Sequence, residues 1–527
     1  MSFTPARGGS ARSYDLVRQS LLQSDNLPFS DALTAEQIEQ AFAAEGVSFG
    51  DAGCDANEAL SDQRGTIYTM GVTLWAMLSQ ALLTDVQRAC RSAVQRVAVY
   101  YALLGVEVSS RNTGAYCRAR AKVTEGVVRR LAQGVAERCE AAVPSEWLWK
   151  GFHPRLIDGT TFSMPDTEEN QAEYPQSKAQ AEGLGFPILR AVAVTSLITG
   201  MVLDLATGPY AGKETGETAL LRSLFGIFRR GDLALFDRYY AGWFMLALLQ
   251  ELGVEFVTLL HQLREANFSL GRRLGQGDHV VAWLKPAKPK WLDQETYDRL
   301  PAQLEIRELQ VSVDIPGFRS QSLVVITSLR NHRVYSRRDV AALYRRRWLV
   351  ELELRDIKST MHLDVLRRKI PAAVRQELWT GLLAYNLVRL SILQSALSGE
   401  CRAHELSFAA SLQMLANTWV LAAIPRTETG GGRESLVALR ILNGHAHRVA
   451  NRPDRVEPRA VKRRPAPIAL LTELRAAARA KLIGAAQARD QSAPDAAKST
   501  CTFDVTESES RTFRLLEIGK PRHEHCQ

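Results

Sequence analysis

The segment "YRRRWLVELELRDIK", from Tyr344 to Lys358, places three consecutive arginines, two glutamates and a lysine in one predicted helix. On a helix that turns by about 100° per residue, one narrow stripe contains Tyr344, Arg347, Glu351 and Lys358. Glu353 falls on the opposite side, where we expect it to face solvent or a partner. The stripe therefore selects Glu351 as the carboxylate that lies between two cations.

Two interpretations fit such a stripe. Most charged helices are solvated faces stabilised by ion pairs. The alternative is a carboxylate for a metal ion, with cations beside it for phosphate. The upstream sequence "LRNHRVYSRRDVAALYRRRW" adds more arginines. We expect Arg345 and Arg346 to contact phosphate, and a solvated face is the alternative.

Two aspartates each follow a short apolar run that is typical of a buried strand. "RLIDGT" places Asp158 after one run, and "LALFDRYY" places Asp237 after another. A carboxylate in such a position is costly to bury unless it is paired or binds a cation. Together with Glu351 these aspartates offer the oxygen ligands of a pair of Mg²⁺ ions. Two ions about 4 Å apart can activate a water molecule and stabilise a leaving oxygen.

The spacing of apolar residues changes along the chain. Between residues 30 and 145 the spacing of three and four predicts helices, whereas short alternating runs at 156–260 and 271–329 predict strands. Further helices are expected at 215–228, 242–252, 339–362 and 372–396. An α/β fold with flanking helices follows from this pattern.

These segments resemble the DDE transposases of the insertion-sequence 4 family. The spacing Tyr344-x2-Arg347-x3-Glu351-x6-Lys358 matches the Y-R-E-K signature of that family. Other blocks are similar and stand in the family's order: "TLWAMLSQALLTDVQRACRSAVQR", "LIDGTTFSMPDTEENQAEYPQSKAQAEGLGFPILRAVAVTSLITG", "GPYAGKETGETALLRSLF", "FDRYY" and "DIKSTMHLDVLRRK". The resemblance covers the chain from about Thr73 to Pro467.

The resemblance implies a ribonuclease H-like catalytic core with a β-rich insertion, flanked by N-terminal and C-terminal helical domains. It implies that the catalytic and metal-binding residues are Asp158, Asp237 and Glu351, with two Mg²⁺ ions and Mn²⁺ as an alternative metal. It also implies that the residues supporting the site and contacting DNA phosphate include Tyr344, Arg347 and Lys358.

The expected domains are an N-terminal helical DNA-binding domain, the first part of the core, the β-rich insertion, the second part of the core, a C-terminal helical and basic region, and a disordered tail. In that order they span residues 1–150, 151–262, 263–335, 336–400, 401–484 and 485–527. In the family a tryptophan of the insertion can stack on a flipped base near a hairpinned DNA end. Trp283 and Trp291 are the candidates, and core packing is the alternative for either.

Composition favours a nucleic-acid partner. The chain has 66 Lys and Arg against 57 Asp and Glu, a net charge of +9. Its seven cysteines are scattered and form no Cys-x-x-Cys pair, so we expect a reducing, cytoplasmic and nucleoid-associated location. The longest uncharged apolar stretch, Ala191 to Leu203, has 13 residues. We therefore expect no membrane segment, since one needs about 20.

Competing motifs carry less information. "GVSFG" at 46–50 matches the G-x-S-x-G sequence of a nucleophile elbow. That motif follows a strand, however, and here a helical pattern precedes it. "GPYAGKE" lacks the spacing of a phosphate loop. "HEHC" at 523–526 lies in the predicted tail, and "RVEPRAVKRRP" at 455–465 suits either a DNA contact or a solubilising linker.

The sequence therefore predicts a transposase that binds the terminal inverted repeats of its insertion element and moves it by metal-dependent DNA cleavage and strand transfer. Its expected partners are double-stranded DNA, both repeat ends and target, and a second copy of the chain in the DNA complex. Two alternatives are a non-catalytic DNA-binding protein derived from a transposase and a plain Mg²⁺-dependent nuclease.

Overall fold

The computed structural model describes residues 33–47, 67–103, 112–212, 215–313, 321–399, 401–419, 431–449 and 473–492, and the single positions 105, 108 and 421. Residues 1–465 form one compact unit and residues 466–527 a second. Within the described ranges, no helix has the length and apolar character needed to cross a membrane.

Helices dominate the first part of the chain, as predicted. They are α1 (Ala35–Ala44), α2 (Met70–Leu82), α3 (Cys90–Leu103), α4 (Thr113–Lys122) and α5 (Glu125–Ala141). Four of them begin after a side chain that accepts a backbone N–H of the first turn, namely Thr34, Thr69, Asn112 and Thr124. Helix α2 is apolar on all sides and buried along most of its length, so it forms the centre of this helical region.

Nine strands of the described chain form a single sheet. They are β1 (His153–Ser163), β2 (Ile188–Ser196), β3 (Val202–Pro209), β4 (Asp232–Leu235), β5 (Glu255–Leu259), β6 (Arg272–Gly275), β7 (Asp278–Leu284), β8 (Gln303–Val313) and β9 (Gln321–Thr327). Their spatial order is β3-β2-β1-β4-β5-β9-β8-β7-β6. Strands β1, β4 and β5 are parallel, and the other pairings are antiparallel.

The predicted insertion is continuous with the core sheet. Strand β9 pairs with β5 on one side, where Val257 lies opposite Thr327, and with β8 on the other. Strands β6 to β9 therefore extend the sheet of the core. Inside this extension Arg307 is fully buried, and its guanidinium donates to both carboxylate oxygens of Asp278 at 2.9 and 2.6 Å.

Short helices connect the strands: α6 (Glu168–Glu173), α7 (Glu217–Ser223), α8 (Trp243–Glu251) and α9 (Gln294–Arg299). Helices α7 and α8 confirm those expected at 215–228 and 242–252. Helix α8 links the parallel strands β4 and β5, as a crossover between parallel neighbours requires.

The long helix α12 (Pro371–Ser398) joins the helical region to the sheet. It begins with proline, which suits the first turn because its missing N–H would have no partner there. The buried Asn386 side chain of α12 donates to Ala132 O of α5 at 3.0 Å and to Val202 O of β3 at 2.9 Å. The same side chain accepts from Val202 N at 2.9 Å. One amide thus fixes three elements together.

The helix that contains the Y-R-E-K spacing is not uniform. It consists of α10 (Arg337–Arg345), a 3₁₀ turn (Arg346–Trp348), α11 (Leu349–Arg355) and a π-helical turn (Asp356–Thr360). Such changes of winding inside a helix often mark functional sites. They also alter the angular positions that a straight helix would predict.

The rest of the first unit includes α13 (Phe408–Thr418) and α14 (Gly431–Ala446). In the second unit, α15 (Arg475–Ser492) extends past residue 485, and residues 493–527 of the predicted tail lie outside the described residues, so the disordered tail stays a prediction. The basic segment 455–465, the motif at 523–526 and parts of the motifs at 46–50 and 208–214 lie outside the described residues.

Candidate active site

Asp158 lies on β1 beyond the end of its parallel neighbour. The pairing of β1 with β4 stops at Leu156 and Leu235, so the β4 side of β1 is open at Asp158. One carboxylate oxygen of Asp158 accepts from the N–H of Gly159 at 2.9 Å. Burial raises the pKa of Asp158 to about 6, despite the nearby guanidinium of Arg347. This carboxylate therefore gains from any cation that approaches it.

Asp237 follows β4 and caps a short 3₁₀ helix (Arg238–Tyr240), accepting from Arg238 N at 2.7 Å. Because β1 and β4 are adjacent and parallel, both aspartates lie at the carboxyl edge of the sheet. Burial raises the pKa of Tyr344 to about 12, and the Asp237 carboxylate raises it further while Arg347 lowers it. The Tyr344 hydroxyl thus lies close to Asp237 and Arg347.

Arg347 connects the carboxylates of Asp158 and Glu351. Its Nη2 donates to Glu351 Oε1 at 2.9 Å, and its Nη1 lies 3.9 Å from Asp158 Oδ2. The Arg347 side chain is 16% exposed and that of Glu351 is 54% exposed. The helix-face prediction for this pair is confirmed, since one guanidinium lies between a strand carboxylate and a helix carboxylate.

The three carboxylates are chemically suitable ligands for a divalent cation. In this structure, however, the Arg347 guanidinium lies between the carboxylates of Asp158 and Glu351. Among the described residues, no three His, Cys, Asp or Glu side chains are grouped closely enough to hold one ion. All three predicted ligands are oxygen donors, which Mg²⁺ prefers. Asp158 and Glu351 already share one cationic partner.

Glu353 does not face solvent, so that prediction is wrong. Its side chain is 6% exposed and accepts from Thr195 Oγ1 of β2 at 2.6 Å. Burial raises the pKa of Glu353 to about 7, against the opposite effect of Arg389 on α12. The reason is that the Glu353 side of α11 packs against β2 and lies near Arg389 of α12, while the side with Glu351 stays exposed.

The other predicted phosphate contacts differ in environment. Lys358 lies on the π-helical turn, with its Nζ 5.8 Å from the centre of the Phe162 ring. Arg345 is exposed, and Arg346 is half-buried beside Arg402. Only Arg347 of the three consecutive arginines is joined to the carboxylates.

The two candidate tryptophans differ in how deeply they are buried. Trp283 is 6% exposed, donates to Glu308 Oε1 at 3.0 Å, and has the Arg264 guanidinium 4.0 Å from its ring centre. Core packing accounts for Trp283 in this conformation. Trp291 is 36% exposed, and Arg222 lies over its ring. Base stacking therefore stays a prediction for Trp291.

Glu217 is a further carboxylate at this edge, and no sequence motif distinguishes it. Its Oε2 accepts from the hydroxyl of buried Tyr240 at 2.9 Å. A Cβ added to Gly159 would lie 2.3 Å from Glu217 Cδ. The glycine after Asp158 thus lets this carboxylate approach the β1 backbone.

Residues 150–387 match the family model of the transposase DDE domain. The chain is 30% identical, over 361 residues, to the transposase InsG for insertion sequence element IS4 of Escherichia coli K12. That similarity covers 67% of this chain and 76% of the relative. The chain belongs to the DDE transposases of the insertion-sequence 4 type. The predicted family is therefore confirmed, and its matched region includes Asp158, Asp237 and Glu351.

Other similarities to this DDE transposase are shorter or weaker. The transposase for insertion sequence element IS421 of Escherichia coli is 39% identical over 66 residues, 12% of this chain and 18% of the relative. A piggyBac transposase synaptic complex with hairpin DNA aligns with a TM-score of 0.39 and 10% identity, covering 84% of this chain and 88% of that one. That likeness is too low to assign the fold.

Proposed function

We propose that this transposase binds the terminal inverted repeats of its insertion element and catalyses metal-dependent DNA cleavage and strand transfer. The observation that carries the proposal is the link from Asp158 through Arg347 to Glu351, at the sheet edge where Asp237 also lies. A ribonuclease H-like core is part of the proposal. It is supported by three parallel strands, β1, β4 and β5, with antiparallel β2 and β3 beside β1.

The metal ligands in this proposal are Asp158, Asp237 and Glu351. Bound Mg²⁺ ions, two in the proposed site, would activate the attacking oxygen and stabilise the leaving oxygen. The protein contributes the open edge of β1, the N-cap geometry that holds Asp237, and the flexible glutamate that completes the set. Glu351 suits the last role because it is the most exposed of the three.

Arg347 has two positions in this proposal. Without metal it neutralises Asp158 and Glu351, which would otherwise repel each other. Once the carboxylates bind metal, the guanidinium is free to bind a DNA phosphate, for which its planar donors are well suited. Tyr344 is proposed to support this exchange because its hydroxyl interacts electrostatically with both Arg347 and Asp237.

Further DNA contacts are assigned to the cations around this edge. Lys358 and Arg345 are proposed to contact backbone phosphates, and Trp291 is proposed to stack on an unpaired base. The N-terminal helices are proposed to bind the inverted repeat. Because two ends must be brought together for transfer, the DNA complex is proposed to contain two copies of the chain.

The test is cleavage of a labelled duplex that carries the flanking inverted repeat, in Mg²⁺, Mn²⁺ or EDTA. Glu351→Gln removes a ligand charge without changing side-chain volume, and Glu295→Gln makes the same change at an exposed residue of α9. We expect metal-dependent nicking at the repeat boundary in the wild type and Glu295→Gln, and none in Glu351→Gln. Binding without any cleavage by the wild type would favour the DNA-binding alternative and refute the catalytic assignment.

A further inference from the structure

A cavity of about 250 Å³ lies beside the 3₁₀ turn, away from the carboxylates. Its apolar wall includes Trp147, Pro154 and Leu197, and its polar wall includes Arg346, Arg402 and His404. His404 is exposed, so the cavity reaches the surface. We call it the Arg346–Arg402 cavity. Since one water molecule takes up about 30 Å³ in the liquid, the cavity has room for a larger group.

The two arginines face each other without an acidic partner. The Arg346 side chain forms no hydrogen bond or ion pair with any residue that the structure describes. The Arg402 guanidinium lies over the Trp147 ring at 4.8 Å, and its Nη2 donates to Glu146 O at 3.2 Å. Its Nη1 is buried and has no hydrogen-bond partner within the described ranges. Glu146 also lines the cavity, but its carboxylate makes no ion pair with either arginine.

Two buried arginines elsewhere in this protein have carboxylate partners. Arg307 is paired with Asp278, and Arg155 is paired with Glu140 and Asp232. Burial, followed by the charge of Arg402, lowers the pKa of Arg346. Two like charges in a partly buried cavity, one with an unused donor, destabilise the free protein unless an anion binds between them.

We infer that the Arg346–Arg402 cavity binds one phosphate group of the DNA backbone, at a subsite distinct from the carboxylates. Guanidinium donors match phosphate oxygens in geometry and charge. Pro154 precedes Asp158 by four residues on β1, which is about 13 Å along an extended strand. That length corresponds to the rise of about four base pairs, so one duplex can reach both places. The inference rests on the proposed function, because it takes DNA as the ligand.

The experiment measures duplex binding by the full chain as a function of salt, for wild type, Arg346→Gln, Arg402→Gln and the double variant. The control is Arg230→Gln, an exposed arginine before β4 that does not line the cavity. Each single variant should bind about tenfold more weakly, and its slope of log affinity against log salt should fall by about 0.9. The double variant should lose little more, because both arginines share one phosphate. Arg230→Gln should behave as wild type.

A second readout separates binding from folding. Thermal unfolding of DNA-free Arg346→Gln should occur at the same temperature as wild type or higher, because the substitution removes a repulsion. A lower unfolding temperature together with weaker binding would indicate a structural role and overturn the inference. Two other results would also overturn the inference: an equal loss of duplex binding in Arg230→Gln, or additive losses of duplex binding in the double variant.

A third arm uses inorganic phosphate with each variant. If phosphate stabilises wild type but not Arg346→Gln, while duplex binding is equal in both, the cavity binds free phosphate and the DNA assignment is wrong. Cleavage assays distinguish the two proposals, because Glu351→Gln tests the carboxylates without touching the cavity. Metal-dependent nicking with unchanged binding by Arg346→Gln would overturn this inference and leave the proposed function standing.

Discussion

Replacement of Glu353 by glutamine should make this transposase more stable at neutral and alkaline pH. The carboxyl group is 6% exposed, and burial raises its pKa from 4.5 to about 7. Between these two values the folded protein keeps a proton that the unfolded chain releases. Its contribution to stability is therefore complete below about pH 4.5 and is lost as pH rises through about 7. The loss amounts to about 3 kcal/mol, since one pKa unit is about 1.4 kcal/mol.

Glutamine resembles the protonated acid in shape and can still accept the hydrogen bond from Thr195. We expect Glu353→Gln to be more stable than the wild type by about 1 kcal/mol at pH 5 and by about 3 kcal/mol at pH 8. The assay is urea unfolding at pH 5, 6, 7 and 8, followed by circular dichroism. Glu295→Gln, at an exposed site, is the control. An unchanged dependence of unfolding free energy on pH in Glu353→Gln would refute the reasoning.

Three further predictions concern other parts of the protein. Gly159→Ala should cost about 2 kcal/mol of unfolding free energy and abolish nicking, because the added Cβ would lie 2.3 Å from the Glu217 carboxyl carbon. Adding Glu217→Ala should recover the stability, and additive losses in urea unfolding would contradict this explanation. Arg307→Met should destabilise by about 3–5 kcal/mol, since it leaves Asp278 buried without its partner; an unchanged thermal unfolding temperature would disprove it. Trp291→Ala should slow cleavage about tenfold with unchanged duplex binding if the ring stacks on a base, and equal rates would assign Trp291 to packing alone.

The sequence predicted one of the two aspartate positions from a local signal, because an apolar run followed by an aspartate marks the end of a buried strand. Asp237 follows β4 in this way, whereas Asp158 lies inside β1, which continues to Ser163, and only the pairing with β4 ends before Asp158. The contact between Arg347 and Glu351 was predictable for a similar reason, since residues four apart on a helix are neighbours.

What the sequence did not predict depends on distant parts of the chain. A helical wheel separates Glu353 from Glu351, but it does not show that β2 and α12 cover the Glu353 side. The junction of β5 with β9, which makes the insertion part of the core sheet, joins residues about seventy positions apart. The approach of Glu217 to Gly159 and that of Arg402 to Arg346 are likewise contacts between remote segments.

The most direct test of the central claim is strand joining by a single preparation of the full chain. A labelled duplex with the repeat end and a free 3′-hydroxyl is incubated with plasmid DNA and Mg²⁺. We predict a labelled joined product with wild type, and none with Asp158→Asn, which keeps the shape of the side chain but removes its charge. Cleavage without any joined product from wild type would identify a nuclease, and joining by Asp158→Asn would contradict the assignment of the site.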